Sequence, residues 1–143
     1  MTELILEGVY VPVVTPFDAN EGLDLSTLTK VIDFCLDGGV AGVVSCGTTG
    51  EYYAMSSDER KNVMARTREV VGSRAHLVAG CNAGSTREAI SLAQSAAGMG
   101  YDAIMLAAPA TSPCQRWTGT SSCSHSSSSR RYWSLINALS GEM

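Results

Sequence analysis

With 143 residues, 45% of them hydrophobic, and a formal net charge of −4, the chain is long enough to bury one core. It carries no surplus of positive charge to draw it to nucleic acid or an anionic membrane. The start, Met1 to Glu7, has acidic flanks around a very short apolar run and reads as neither a signal peptide nor a membrane span. The five cysteines form an odd set without a C-x-x-C pair, and Cys35, Cys46 and Cys81 sit in apolar segments as small hydrophobes, so a reduced, cytoplasmic protein is expected.

From Gly8 to Phe17 the chain is β-branched and apolar between Gly and Pro, the mark of a buried strand, with Pro12 better suited to a strand end than to its middle. A helical period follows, with Leu25, Leu28, Val31, Ile32, Cys35 and Leu36 on one face and Gly38-Gly39 as the stop. Val40 to Cys46 is a second near-continuous apolar run, as in a strand covered on both sides. Ser56 and Glu59 have capping-box spacing and open a helix with Val63, Thr67, Val70 and Val71 inward, ending near Gly72. His76 to Cys81 is the third strand, and its leading His76 reads as structural. Ser85 and Glu88 repeat the capping spacing ahead of a helix with Ala89, Ile90, Ala93, Ala96 and Ala97 inward, ended by Gly98 and Gly100. Asp102 to Pro109 is the fourth strand. Strands and helices alternating over short connections predict parallel strands joined by right-handed crossovers.

Beyond Pro113 the composition changes. Thr111 to Ser134 is crowded with serine, includes the run Ser126 to Ser129 before Arg130-Arg131, and has neither helical nor strand period. A linker seldom carries Trp117, Trp133, Cys114 and Cys123 among its serines, so residues 113–143 read as a disordered or frameshifted tail. A frameshift predicts that another reading frame past codon 113 encodes a continuation. Cys114, Cys123 and His125 are too irregularly spaced for a zinc site, and no metal or cofactor is expected. Two arginines among serines are thin grounds for RNA binding.

The segment that points to chemistry is Cys46-Gly47-Thr48-Thr49-Gly50-Glu51, directly after the second strand. In parallel α/β folds ligands bind at the carboxyl ends of strands. Glycines there allow amides to approach an anion, and threonine hydroxyls can donate to a carboxylate or pass a proton. A Gly-rich turn whose threonines merely cap the next helix has the same residues, so chemistry alone leaves both readings open. No phosphate-loop or dinucleotide fingerprint is present. Tyr52-Tyr53 either shape access to the loop or pack against it. Asp58 to Lys61 reads as a solvated first helical turn, its acids favoured by the helix dipole.

Taken together, Gly8 through Pro16-Phe17, then Gly47-Thr48-Thr49-Gly50-Glu51, then Ala79-Gly80 and Glu88-Ala89-Ile90 ahead of a strand ending in Pro109, resemble the dihydrodipicolinate synthase / N-acetylneuraminate lyase family. The resemblance covers residues 8 to about 112. It implies that residues 1–112 are the N-terminal half of a (β/α)8 TIM barrel, with four parallel strands and three helices. It also implies a homo-oligomeric lyase or aldolase that forms a Schiff base between a lysine and pyruvate or another 2-oxo acid. By motif, Thr49 would bind the 2-oxo acid carboxylate beside the amides around Gly47 and Gly50, and Thr48 would belong to a proton relay.

There are departures. In synthase-type members a relay tyrosine commonly follows the strand-four proline; here Pro109 precedes Ala110 and Thr111, which favours another branch. The only lysines are Lys30 and Lys61, both on predicted helices, where neither is set for the desolvation that activates an amine. A complete barrel takes about 200–250 residues. Two classes of function therefore stand: a Schiff-base enzyme by ancestry, and a noncatalytic truncated product or interaction module.

Overall fold

Side chains that capture backbone amides open each of the three α-helices among the described residues. In the computed structural model, which describes residues 6–107, the Asp24 carboxylate accepts the amides and hydroxyls of Ser26 and Thr27 and opens α1 (Leu25–Asp37). Ser56 opens α2 (Ser57–Val71) with the full reciprocal box: its hydroxyl accepts the Glu59 amide while the Glu59 carboxylate accepts the Ser56 amide. Ser85 accepts the Glu88 amide ahead of α3 (Thr86–Gly98). Here the expected box is only half made, because the Glu88 carboxylate instead accepts the Ser57 hydroxyl at 2.6 Å. A donor on the neighbouring helix outcompetes the local amide and ties the start of α3 to the start of α2.

Four strands, β1 (Tyr10–Pro12), β2 (Gly42–Ser45), β3 (His76–Gly80) and β4 (Ala103–Met105), form one parallel sheet whose spatial order is the chain order. The paired segments are shorter than the apolar runs that predict them. Pro12 closes β1 because it has no amide to donate, although the Val13 amide still reaches the Val44 carbonyl at 3.0 Å. The predicted tail, 113–143, with Cys114, Cys123 and His125, lies outside the described residues, as does Pro109.

Strand alternation sorts the side chains. Val43, Leu77, Ala79 and Cys81 face the helices and meet Leu28, Ile32, Val63, Met64, Val71, Leu92, Ala93 and Ala96 in a buried core. Each large aliphatic residue so buried contributes roughly 1.5–3 kcal/mol. The inner face of α3 is Ala89, Leu92, Ala93 and Ala96. Ala97, expected inward, is exposed, since the helical rotation carries it past the contact stripe. On the opposite face of the sheet the register aligns Tyr10, Gly42 and His76 in one row and Pro12, Val44, Val78 and Ala103 in the next. A side chain on Gly42 would overlap the Tyr10 ring, which crosses that position so that Tyr10 Oη meets His76 Nδ1 at 2.6 Å. His76, at the head of β3, thus partners Tyr10 across the sheet.

Candidate functional site

At the carboxyl end of β2 the backbone turns left-handed twice, at Cys46 (φ 53°) and at Glu51 (φ 52°). Neither is glycine, and each such residue costs about 1–2 kcal/mol. Between them lie two overlapping turns, with the Gly50 amide on the Gly47 carbonyl at 3.1 Å and the Glu51 amide on the Thr48 carbonyl at 3.0 Å. The buried Thr15 hydroxyl donates to the Gly50 carbonyl at 2.8 Å and fastens the loop to the segment after β1.

Of the two glycines, Gly50 is the one that the closeness of the backbone below requires. A Cβ on Gly50 would stand 3.0 Å from the Val13 carbonyl oxygen, and one on Gly47 would touch Met105 Cε at 3.4 Å above Val44 and Pro12. Gly47 and Gly50 are buried while Thr48 and Thr49 are exposed. Gly50's amide is spent inside the turn. Among the described residues, the hydroxyls and amides of Thr48 and Thr49 have no hydrogen-bond partner.

Beneath the loop lies a residue that the sequence reading misplaced. In the charge run Asp58 to Lys61, Asp58 and Lys61 pair at the surface at 3.4 Å, but Arg60 is only 2% exposed. Its terminal nitrogens donate to the Gly80 carbonyl at 2.8 Å and the Asn82 carbonyl at 2.7 Å. Its guanidinium carbon sits 5.2 Å from the Tyr52 ring centroid. Its own carbonyl accepts the Cys46 thiol at 3.6 Å. Helical spacing carries the signal that could have found it, for Arg60 shares a face with Val63, Met64, Thr67 and Val71. Tyr52 packs over Arg60, and Tyr53, 69% exposed, stands edge-on to it.

Burial pushes the Cys46 thiol up to about 11, with the nearby Arg60 charge working against it, and pushes Cys81 up to about 11 in the same way. The Tyr101 phenol is also raised by burial; it donates to the Met64 carbonyl and accepts from the Ser45 hydroxyl, each at 3.0 Å. Lys30 is exposed on α1. A cavity of about 430 Å³ lies at the other end of the strands, lined by Arg68, Arg74, His76 and Asp102 among others. There Arg74 pairs with Asp33 at 2.7 Å and Asp102 accepts the Leu77 amide at 2.8 Å. Among the described residues, no three His, Cys, Asp or Glu side chains gather as a metal site, and no helix is long and apolar enough to cross a membrane.

The sequence model of the dihydrodipicolinate synthetase family matches residues 5–114, which include every described strand and helix and the loop just built. The chain belongs to this family. Among its curated members, the 4-hydroxy-tetrahydrodipicolinate synthase of Methanococcus aeolicus is 39% identical over 104 residues, covering 73% of this chain and 36% of that protein. That of Desulfotalea psychrophila is 42% identical over 102 residues, 71% of this chain and 34% of its own. The chain therefore spans about a third of the length of the family members it matches. The departure after Pro109 had pointed away from the synthase, whereas these relatives are named synthases. Among solved family structures, dihydrodipicolinate synthase from Bacillus clausii superimposes with a TM-score of 0.75 at 30% identity, covering 92% of this chain and 41% of that one. The Clostridium difficile protein CdNal, solved with mannosamine, gives 0.80 at 24% identity over 94% of this chain and 44% of its own, a likeness of fold. The expected half of a (β/α)8 barrel stands: four parallel strands with three helices, covering part of each complete neighbour.

Proposed function

We propose that this chain carries the carboxylate-recognition corner of a Schiff-base lyase or aldolase that acts on pyruvate or another 2-oxo acid. The observation that carries the reading is the exposed Thr48-Thr49 pair on a loop tied from beneath by the Thr15 hydroxyl, at the strand end where parallel α/β folds bind ligands. Thr49 binds the carboxylate with its hydroxyl and the adjacent amides. Thr48 belongs to the proton relay of the bond-making step. Gly47 and Gly50 shape the loop, keeping side chains away from the strands below. Donors fixed in place before the ligand arrives need no reorganisation when charge develops.

The nucleophile is another matter. An imine electron sink needs an amine held neutral in a desolvated place. Lys30 is exposed on α1, and Lys61 is paired with Asp58 at the outer start of α2. The isolated chain therefore binds the 2-oxo acid without forming the imine. The complete family member, a homo-oligomer, supplies the lysine from elsewhere in its barrel. The cytoplasmic assignment rests on Cys35, Cys46 and Cys81 standing as free thiols, as a reducing compartment keeps them.

Borohydride treatment of the chain with pyruvate, followed by intact-mass measurement, tests both halves. The unmodified mass is expected, together with pyruvate-dependent amide shifts at Thr48 and Thr49 in the nuclear magnetic resonance spectrum. A stoichiometric adduct on Lys30 or Lys61 would overturn the first, and silent threonines the second. The second reading, a noncatalytic truncated product or interaction module, is favoured by the same two lysines and predicts both no adduct and silent threonines.

A further inference from the structure

We infer that Arg60 is the positioning residue of the Thr48-Thr49 site: it locks the loop of residues 46–52 onto the carboxyl end of β3 and so sets where the two threonines stand. The inference rests on the carboxylate-binding reading above and assigns a role to a residue that does not touch the ligand.

The geometry is that of a clamp with four contacts. Two guanidinium nitrogens hold the Gly80 and Asn82 carbonyls, at 2.8 and 2.7 Å, which fixes Arg60 to the end of β3 and the first residues after it. The other two contacts reach the loop. Arg60's carbonyl accepts the thiol of Cys46, the first left-handed residue, and its guanidinium lies against Tyr52, which directly follows Glu51, the second. The clamp thus grips both left-handed hinges between which Thr48 and Thr49 are carried. Gly80 makes the approach possible, since a Cβ there would overlap the Cys46 carbonyl. Left-handed non-glycine residues persist only where the surroundings over-determine them, and Arg60 is the buried group that touches both ends.

The choice of arginine has a physical reason. Two carbonyls must be bridged by one side chain, and the planar fork of a guanidinium does this where an ammonium, a point donor, meets one or the other. The cost is a charge taken out of water. No carboxylate lies within ion-pair distance of Arg60 among the described residues, and its Nε, buried, has no partner among them. A fold that only needed filler at this position would hold it better with an aliphatic residue, as buried charges are often replaced by apolar groups without loss of stability. Retaining a cation there makes sense if the loop geometry depends on the fork.

The test uses the whole chain, isotopically labelled, with the variants Arg60→Met and Arg60→Lys. Scalar couplings and Cα shifts at Cys46 and Glu51 report the left-handed hinges. Amide shifts at Thr48 and Thr49 on titration with sodium pyruvate report the site, and amide exchange in α1 and α3 reports the remaining fold. Arg60→Met keeps the backbone carbonyl that accepts the Cys46 thiol but removes the guanidinium, so it is expected to lose the left-handed signature at Glu51, beside Tyr52, and to weaken pyruvate binding by roughly ten- to a hundredfold, with α1 and α3 protection unchanged. Arg60→Lys should fall between Met and wild type. Hinges unchanged in a folded Arg60→Met would overturn the inference. Should neither variant fold, native-state exchange of the wild type decides. The Arg60 guanidinium protons and the Gly50 and Glu51 amides are then expected to open in one step, and separate openings would overturn it. A wild type with intact hinges that ignores pyruvate would sink the carboxylate reading alone, while the hinges would still judge Arg60.

Discussion

Gly80 and Gly47 occupy neighbouring positions at the strand ends yet differ in what they would tolerate. A Cβ on Gly80 meets the backbone of Cys46, which cannot move without shifting the loop, whereas on Gly47 it meets the movable end of Met105 at 3.4 Å. Gly80→Ala is expected to cost about 1–3 kcal/mol or more, and Gly47→Ala less than about 1 kcal/mol, read from urea midpoints at unchanged slope. Equal costs would mean that the loop itself gives way. The buried thiols add a pH dependence on the alkaline side. The Cys46 thiol stays protonated to about 11 in the fold against an ordinary 9.0 in the unfolded chain. Between those values the native state holds the extra proton, so its stabilising contribution is complete below pH 9 and fades as pH rises to about 11. The loss amounts to about 2–3 kcal/mol, and Cys46→Ala should flatten that limb of the melting curve. What the sequence showed at this scale was uneven. The Gly-Thr-Thr-Gly-Glu loop stood out by its position after an apolar run. Arg60 did not, because a charge run invites reading by composition while only its helical phase says which member turns inward. The left-handed residues were hidden too, since cysteine and glutamate carry no local mark of positive φ.

At the scale of elements, caps are where sequence and structure agree best. A serine three residues ahead of a glutamate is a local device, and Ser56 with Glu59 needs nothing distant to form. Glu88 shows the limit of that logic, since its choice of Ser57 depends on a helix 31 residues away in the chain. Strand ends were overestimated for a similar reason. Apolar composition runs past Pro12, but pairing needs an amide opposite a carbonyl, and proline has none. Asp24 gives the clearest element-level prediction. Its carboxylate is held well below its ordinary 3.8 by bonds to Thr27 and Ser26, those to Thr27 the strongest. A depressed carboxylate contributes stability that is complete above pH 3.8 and is lost as pH falls toward its folded value. Asp24→Asn keeps an acceptor but cannot titrate. It should therefore remove part of the acid-side loss of helix signal below pH 3.8 while leaving the neutral melting temperature only slightly lowered. An acid limb identical to wild type would show that α1 does not rely on this charge.

For the molecule as a whole, β1 and β4 are each paired on one side only among the described residues, and Val9, Val14 and Met105 are exposed. Open parallel edges beside apolar side chains template pairing with other chains. The chain is therefore expected to sediment as dimers or larger species at micromolar concentration, and a single monomeric boundary with a cooperative melt would contradict this. The parallel half-barrel was legible because each strand–helix unit repeats the same alternation of periods, and chain order then dictates sheet order. The row formed by Tyr10, Gly42 and His76 was not legible, since it joins residues that only strand register aligns. That row also makes the molecule observable from within. The Tyr10 ring occupies the space a side chain on Gly42 would fill, so the glycine's α-protons lie in the ring's magnetic field. Their resonances are displaced while the first strand is docked and return to ordinary glycine positions when it leaves. Two protons thus time the undocking of β1 separately from unfolding of the sheet's centre, with no label added to the chain.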